Sequence, residues 1–113
     1  MENQVKLNEE RATMVAKLKT LMPEVTDPEY KLLETVYREG ALSTKTKRLM
    51  SLVAALTKGC TNCILAQTDY ALKLGTSREE MLETIAVVIA MNGTTGVAES
   101  MRVLKMMEET GQL

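Results

Sequence analysis

An all-α fold, a single-domain bundle of about six helices, follows from three features of this 113-residue chain. Apolar residues recur at three- and four-residue spacing along most of its length, the period of a helix with one buried face. No stretch alternates apolar and polar residues between hairpin turns. Proline, glycine and hydroxyl caps interrupt the pattern at intervals of one helix. The length suits one domain spanning residues 1–113, with N-terminal helices in 1–41 and a core in 42–109.

The first helix is expected from Val5 to Met22, with Leu7, Met14, Leu18 and Leu21 on one stripe and Pro23 as its stop. Asp27-Pro28-Glu29 has the form of an N-cap, an N1 proline and a first-turn acid, opening a second helix through Tyr30, Leu33 and Tyr37 to Gly40. Ser43 or Thr44 can cap a third, whose segment Leu49 to Leu56 is apolar on nearly every side and therefore central. Gly59 interrupts it. A fourth helix continues through Tyr70 and Leu74 to a C′ glycine at Gly75. Ser77 and Glu80 form a capping box for a fifth, with Met81, Leu82, Ile85, Ala86, Val88 and Ile89 as a broad apolar face. Asn92-Gly93-Thr94-Thr95-Gly96 reads as a break before a sixth, which carries Val97, Met101, Leu104 and Met107 to about Glu109.

Composition excludes several function classes. Fourteen basic and fifteen acidic residues leave a net charge of −1, without the basic run or aromatic platform that tracks a phosphate backbone, so no nucleic-acid partner is expected. The start MENQVKLNEE is polar, and the longest apolar run, Ile85 to Met91, is too short to span a bilayer. A cytoplasmic protein with no membrane partner is the expectation. Nine methionines with no Phe or Trp make a thin core for a small helical domain, so association into a homo-oligomer is expected, with Met91, Met101, Met106 and Met107 as interface candidates.

The chemistry lies in "KGCTNCILAQTDYALKLG", residues 58–75, where two cysteines stand three apart at a helix start in a chain without histidine. In a reducing compartment such a pair is redox-active or metal-binding more often than a structural staple. Zinc needs four donors, and one CxxC with no His supplies two, so no metal is expected. Absence of a P-loop or GxGxxG gives no support for a nucleotide, and no cofactor is expected. Amide groups at the helix N-terminus favour thiolate, so Cys60 is expected to be the more exposed and more acidic sulfur, with Cys63 placed to attack a mixed disulfide or sulfenic acid on it. The alternative is two buried thiols packed as small hydrophobes. Gln67 shares the cysteines' helix face, either as a core-edge amide bonded to a neighbouring helix or as a partner of the sulfurs.

The segment "KTKRLMSLVAALTKGCTNCILAQTDYALKLGTSREEMLETIAVVIAMNG" resembles the AhpD-like CxxC branch of the carboxymuconolactone decarboxylase superfamily, and the likeness covers about Leu42 to Glu108. It is carried by the charged helix start, the CxxC, the helix ending in glycine, the Thr-x-x-Glu-Glu opening and the Gly-rich break. The resemblance implies an all-helical fold, trimers or hexamers, and Cys60 and Cys63 as catalytic residues in reducing a small peroxide, disulfide or lipoyl-type substrate, with an electron donor left unspecified. Two positions depart from the family's redox pattern, which has a glutamate twelve residues before the first cysteine and a histidine four after the second. Arg48 and Gln67 stand there, and neither moves a proton near neutrality. Arg48 either lowers a thiolate pKa, or faces solvent or pairs with a first-turn acid. A non-catalytic redox-responsive or oligomeric interaction module is therefore the alternative function, with a lactone decarboxylase-type lyase less favoured.

Overall fold

The computed structural model describes all 113 residues as six helices without a strand: α1 (Gln4–Leu21), α2 (Pro23–Val36), α3 (Thr44–Lys58), α4 (Thr61–Lys73), α5 (Arg78–Asn92) and α6 (Thr94–Glu109). Local chemistry explains most of their ends. Ser43 accepts from the Thr46 N–H to start α3, and Ser77 and Glu80 form the reciprocal capping box of α5. Gly59 adopts the left-handed conformation (φ 67°) past the end of α3, which turns the chain back into α4.

α3 is the central helix and packs on α4, α5 and α6. Its buried Leu52, Ala55 and Leu56 meet Ile64, Leu65 and Leu72 of α4, Met81, Ile85 and Val88 of α5, and Val103, Met106 and Met107 of α6. Burying a side chain of this size stabilises by about 1.5–3 kcal/mol, so this cluster holds the α3–α6 bundle against which the α3–α4 junction is set. No helix is long and apolar enough to cross a membrane.

Several element boundaries differ from the sequence expectations. Pro23 ends α1 and also begins α2 as its N1 residue, whereas Pro28 lies inside α2. N1 needs no N–H, so Pro23 suits that position, whereas Pro28 withholds the N–H that the Glu24 carbonyl one turn earlier would otherwise accept. α2 closes at Val36 with Tyr37 as C-cap rather than at Gly40. Lys47 of α3 donates to the Val36 and Arg38 carbonyls (2.8 and 2.7 Å), supplying from another helix the cation that α2 lacks in its own last turn.

The break between α5 and α6 is also narrower than expected, consisting of Gly93 alone (φ 58°, ψ −132°), a conformation reserved for glycine. Gly96 belongs to α6 and is buried, and a Cβ there would lie 3.0 Å from the Val88 carbonyl oxygen and 3.2 Å from the Ile89 Cα. Gly96 is thus a contact residue that lets two backbones approach. Gly96→Ala should cost about 1–3 kcal/mol despite alanine's better helix propensity, because backbone must move to admit the methyl. A denaturation midpoint equal to or above wild type would contradict this.

The α1 stripe departs furthest from expectation. Leu7 is half-buried, but Met14, Leu18 and Leu21 are exposed, Leu21 at 79%. α2 packs chiefly on α1, leaving Val25, Leu32, Leu33 and Val36 exposed. Amphipathic spacing requires an apolar partner surface without specifying whose. Met106 and Met107 belong to the core instead of an interface, while Met91 (80%) and Met101 (37%) remain at the surface.

Candidate active site

Cys60 is the N-cap of α4, and its sulfur accepts a hydrogen bond from the Cys63 N–H (3.3 Å). Its own N–H donates to the Ala55 carbonyl at the end of α3 (3.1 Å). This backbone pairing follows from the Gly59 turn. The two cysteines are joined in a disulfide, with their Cα atoms 5.2 Å apart.

The residue exposures reverse the expected order: Cys63 is exposed and Cys60 half-buried. Cap geometry accounts for the Cys60 side, because its side chain folds back over the first turn to accept the Cys63 N–H. The Cys63 amide and the helix end at Cys60 are the groups that would favour a negative charge on the Cys60 sulfur.

One turn further along α4, Arg48 and Gln67 are brought together. Arg48 Nη1 donates to Gln67 Oε1 at 3.3 Å, so the two residues at the departed relay positions bond to each other across the α3–α4 pair. The guanidinium carbon lies 3.5 Å from the centre of the Tyr37 ring and 4.0 Å from that of Tyr70. Tyr37 is held by a short hydrogen bond between its hydroxyl and that of Ser51, whose Oγ also donates to the Lys47 carbonyl (3.1 Å). Tyr37, from the α2 C-cap, and Tyr70, from α4, are the components of this cluster that sequence reasoning did not assign to a site. Their helical spacing resembled that of core positions, and the only available signal was that tyrosine carries a polar tip needing a partner.

A cleft of about 580 Å³ opens beside the cluster, lined by all three tyrosines of the chain, Tyr30, Tyr37 and Tyr70, together with Arg48 and Gln67. Neither cysteine lines it. A second, shallower groove of about 410 Å³ between α1 and α4 is bordered by Met14, Leu18 and Leu65, with Thr61 and Asn62 from between the cysteines. The disulfide therefore lies near two concave surfaces, one bordered by its own intervening residues and one a turn away.

The start of α3, which carries Arg48, is tied to α5 by Lys45 Nζ and Glu80 Oε2 at 2.8 Å. That lysine, with the Ser77 N–H, lowers the Glu80 pKa from about 4.5 to about 2. Depression in the folded state means the stabilisation is complete above about 4.5 and is lost as pH falls towards 2. Glu80→Gln keeps the capping amide contact and removes the charge. Its midpoint in urea should lie below wild type at neutral pH and converge with it near pH 2, with the neutral-pH gap shrinking in about 1 M salt because both side chains are partly exposed. A gap that persists at pH 2 would assign the effect to something other than charge.

The chain matches the carboxymuconolactone decarboxylase family profile over residues 23–106. It is 30% identical over 73 residues to an uncharacterised protein of Cupriavidus necator, a match covering 65% of each chain. An uncharacterised protein of the cox locus of Paracoccus denitrificans is 28% identical over 78 residues, covering 69% of this chain and 70% of that one. The match thus spans just under two thirds of the first of these curated relatives. Among solved structures, a carboxymuconolactone decarboxylase family protein from Legionella pneumophila superposes with a TM-score of 0.89 at 29% identity, covering 96% of this chain and 97% of that one. A protein from Thermotoga maritima gives 0.79 at 26% identity, covering 91% and 94%. The profile takes in α2 to α5, most of α6 and the whole of the α3–α4 hairpin that carries the cysteines, and the chain belongs to the carboxymuconolactone decarboxylase family.

Proposed function

We propose that the protein is a CxxC-dependent thiol–disulfide oxidoreductase of the AhpD-like type, reducing a disulfide or peroxide through Cys60 and Cys63 with an altered proton relay. The observation that carries this reading is an exposed Cys63 joined to a Cys60 that caps a helix N-terminus. An external dithiol reduces the protein: one thiolate attacks the Cys63 sulfur, Cys60 leaves as thiolate, and the second thiol attacks the mixed disulfide to release the donor's own disulfide and the Cys63 thiol. The reduced pair then passes two electrons to a substrate disulfide by the reverse sequence. With a hydroperoxide, the Cys63 thiolate takes the terminal oxygen to give sulfenic acid and an alcohol, and Cys60 displaces water to restore the disulfide.

Counting free thiols after exposing the reduced protein to substoichiometric oxidant tests the reading. Both thiols should disappear together, faster than in an unfolded control. Survival of both in the folded chain would refute it.

The same family reading includes assembly into a trimer or hexamer, supported by the exposed apolar α1–α2 surface and by Met91. Light scattering at micromolar concentration should give a multiple of the 12.5 kDa chain mass. A non-catalytic, redox-responsive module is the second reading. The Arg48–Gln67 pairing favours it, since the two positions that would move protons are instead bonded to each other.

A further inference from the structure

Resting on the oxidoreductase reading, we infer that the cleft beside Arg48 binds the carboxylate end of an organic acid with an apolar body, and that the substrate therefore carries such a group. Arg48 is half-buried yet takes part in none of the chain's four ion pairs. Removing a guanidinium from water without a counter-ion is costly, and a ligand that brings a carboxylate relieves that cost.

The surroundings of Arg48 define what it can bind. Tyr37 and Tyr70 lie against the guanidinium at 3.5 and 4.0 Å, which leaves its in-plane N–H groups as the donors, and Nη1 is directed to Gln67. An arginine edge held in this way matches the two oxygens of a carboxylate. Since the Ser51 contact holds the Tyr37 hydroxyl, the fork is ordered before any ligand arrives.

Charge and shape agree with this assignment. Arg11, Lys19, Arg38 and Arg48 line the cleft against Glu29 and Glu34, an excess of positive charge in a chain whose net charge is −1. Val15, Leu33 and Ala66 supply apolar wall, and a volume of about 580 Å³ accommodates a medium-length hydrocarbon or small ring system. Gln67 follows Cys63 by four residues on α4, a rise of about 6 Å. A ligand anchored by its carboxylate at Arg48 can therefore extend its other end along α4 towards the exposed sulfur.

Isothermal titration of the oxidised protein with octanoate and with octanamide, which differ only in the charged group, tests the site. Octanoate should bind about ten- to a hundred-fold more tightly, the scale of hydrogen bonds to a charged group. Arg48→Gln should abolish that preference, and Arg48→Lys should restore only part of it because an ammonium lacks the planar fork. Equal affinity for the two probes, absence of octanoate binding, or a preference that survives in folded Arg48→Gln would each overturn the inference. The wild-type comparison of the two probes does so even if Arg48 variants fail to fold. Carboxylate binding with inert thiols would refute the oxidoreductase reading alone, and active thiols without carboxylate binding would refute this site alone.

Discussion

Cys63→Ser should reduce disulfide exchange to the uncatalysed background, a loss of roughly 10³-fold or more, the scale on which removal of a nucleophile is felt. The expectation comes from exposure, because Cys63 is the sulfur that a reagent meets from solvent. Cys60→Ser should behave differently. In the reduced variant, Cys63 attacks a small disulfide such as glutathione disulfide, one thiol leaves, and the mixed disulfide persists because no second thiol displaces it. Mass spectrometry should therefore find a stable adduct on Cys63 in Cys60→Ser and much slower adduct formation on Cys60 in Cys63→Ser. The opposite pattern would return the first attack to Cys60 and show that thiolate stability at the helix end outweighs access.

The second large effect concerns the relay positions. Replacing Arg48 by Glu and Gln67 by His together should raise peroxide reduction by ~100-fold or more, the contribution of general acid–base catalysis. Positions 48 and 67 face one another across the α3–α4 pair, with Arg48 Nη1 at 3.3 Å from Gln67 Oε1, which places the two substitutions on the same site. Each single change should do less. Arg48→Glu alone places a carboxylate among aromatic rings without a titrating partner, where burial pushes its pKa up. Peroxide consumption with an external dithiol reads the gain. If the double variant is no faster and Arg48→Ala raises the Cys60 thiol pKa, Arg48 acts instead by stabilising thiolate.

The six helices, most of their caps and the position of the cysteine pair were legible in the sequence because they depend on residues within a turn of one another. Ser43, the Ser77–Glu80 box, Gly59 and Gly75 act on adjacent backbone, and the 3.6-residue period places Leu52, Leu56, Met81, Ile85 and Val88 on inward faces in any bundle. Tertiary packing decided the rest. The N-terminus of α1 is capped by Glu109, 105 residues from Gln4, whose carboxylate accepts the Gln4 N–H at 2.9 Å and the Val5 N–H at 3.1 Å, a contact no local pattern announces. Gly96 resembled a helix breaker because propensity carries no information about the Val88 backbone that it meets. Arg48 and Gln67, nineteen residues apart, acquired a common purpose only when the Gly59 turn laid α4 back along α3 and Tyr37 arrived from α2. By itself the sequence determined the number of helices, the caps of α3 and α5 and the place of the cysteine pair at a helix start, since those are matters of local backbone and side-chain type. Which sulfur faces solvent, and what the arginine holds, were decided by the packing of helices far apart in the chain, because exposure and hydrogen-bond partners belong to the assembled surface.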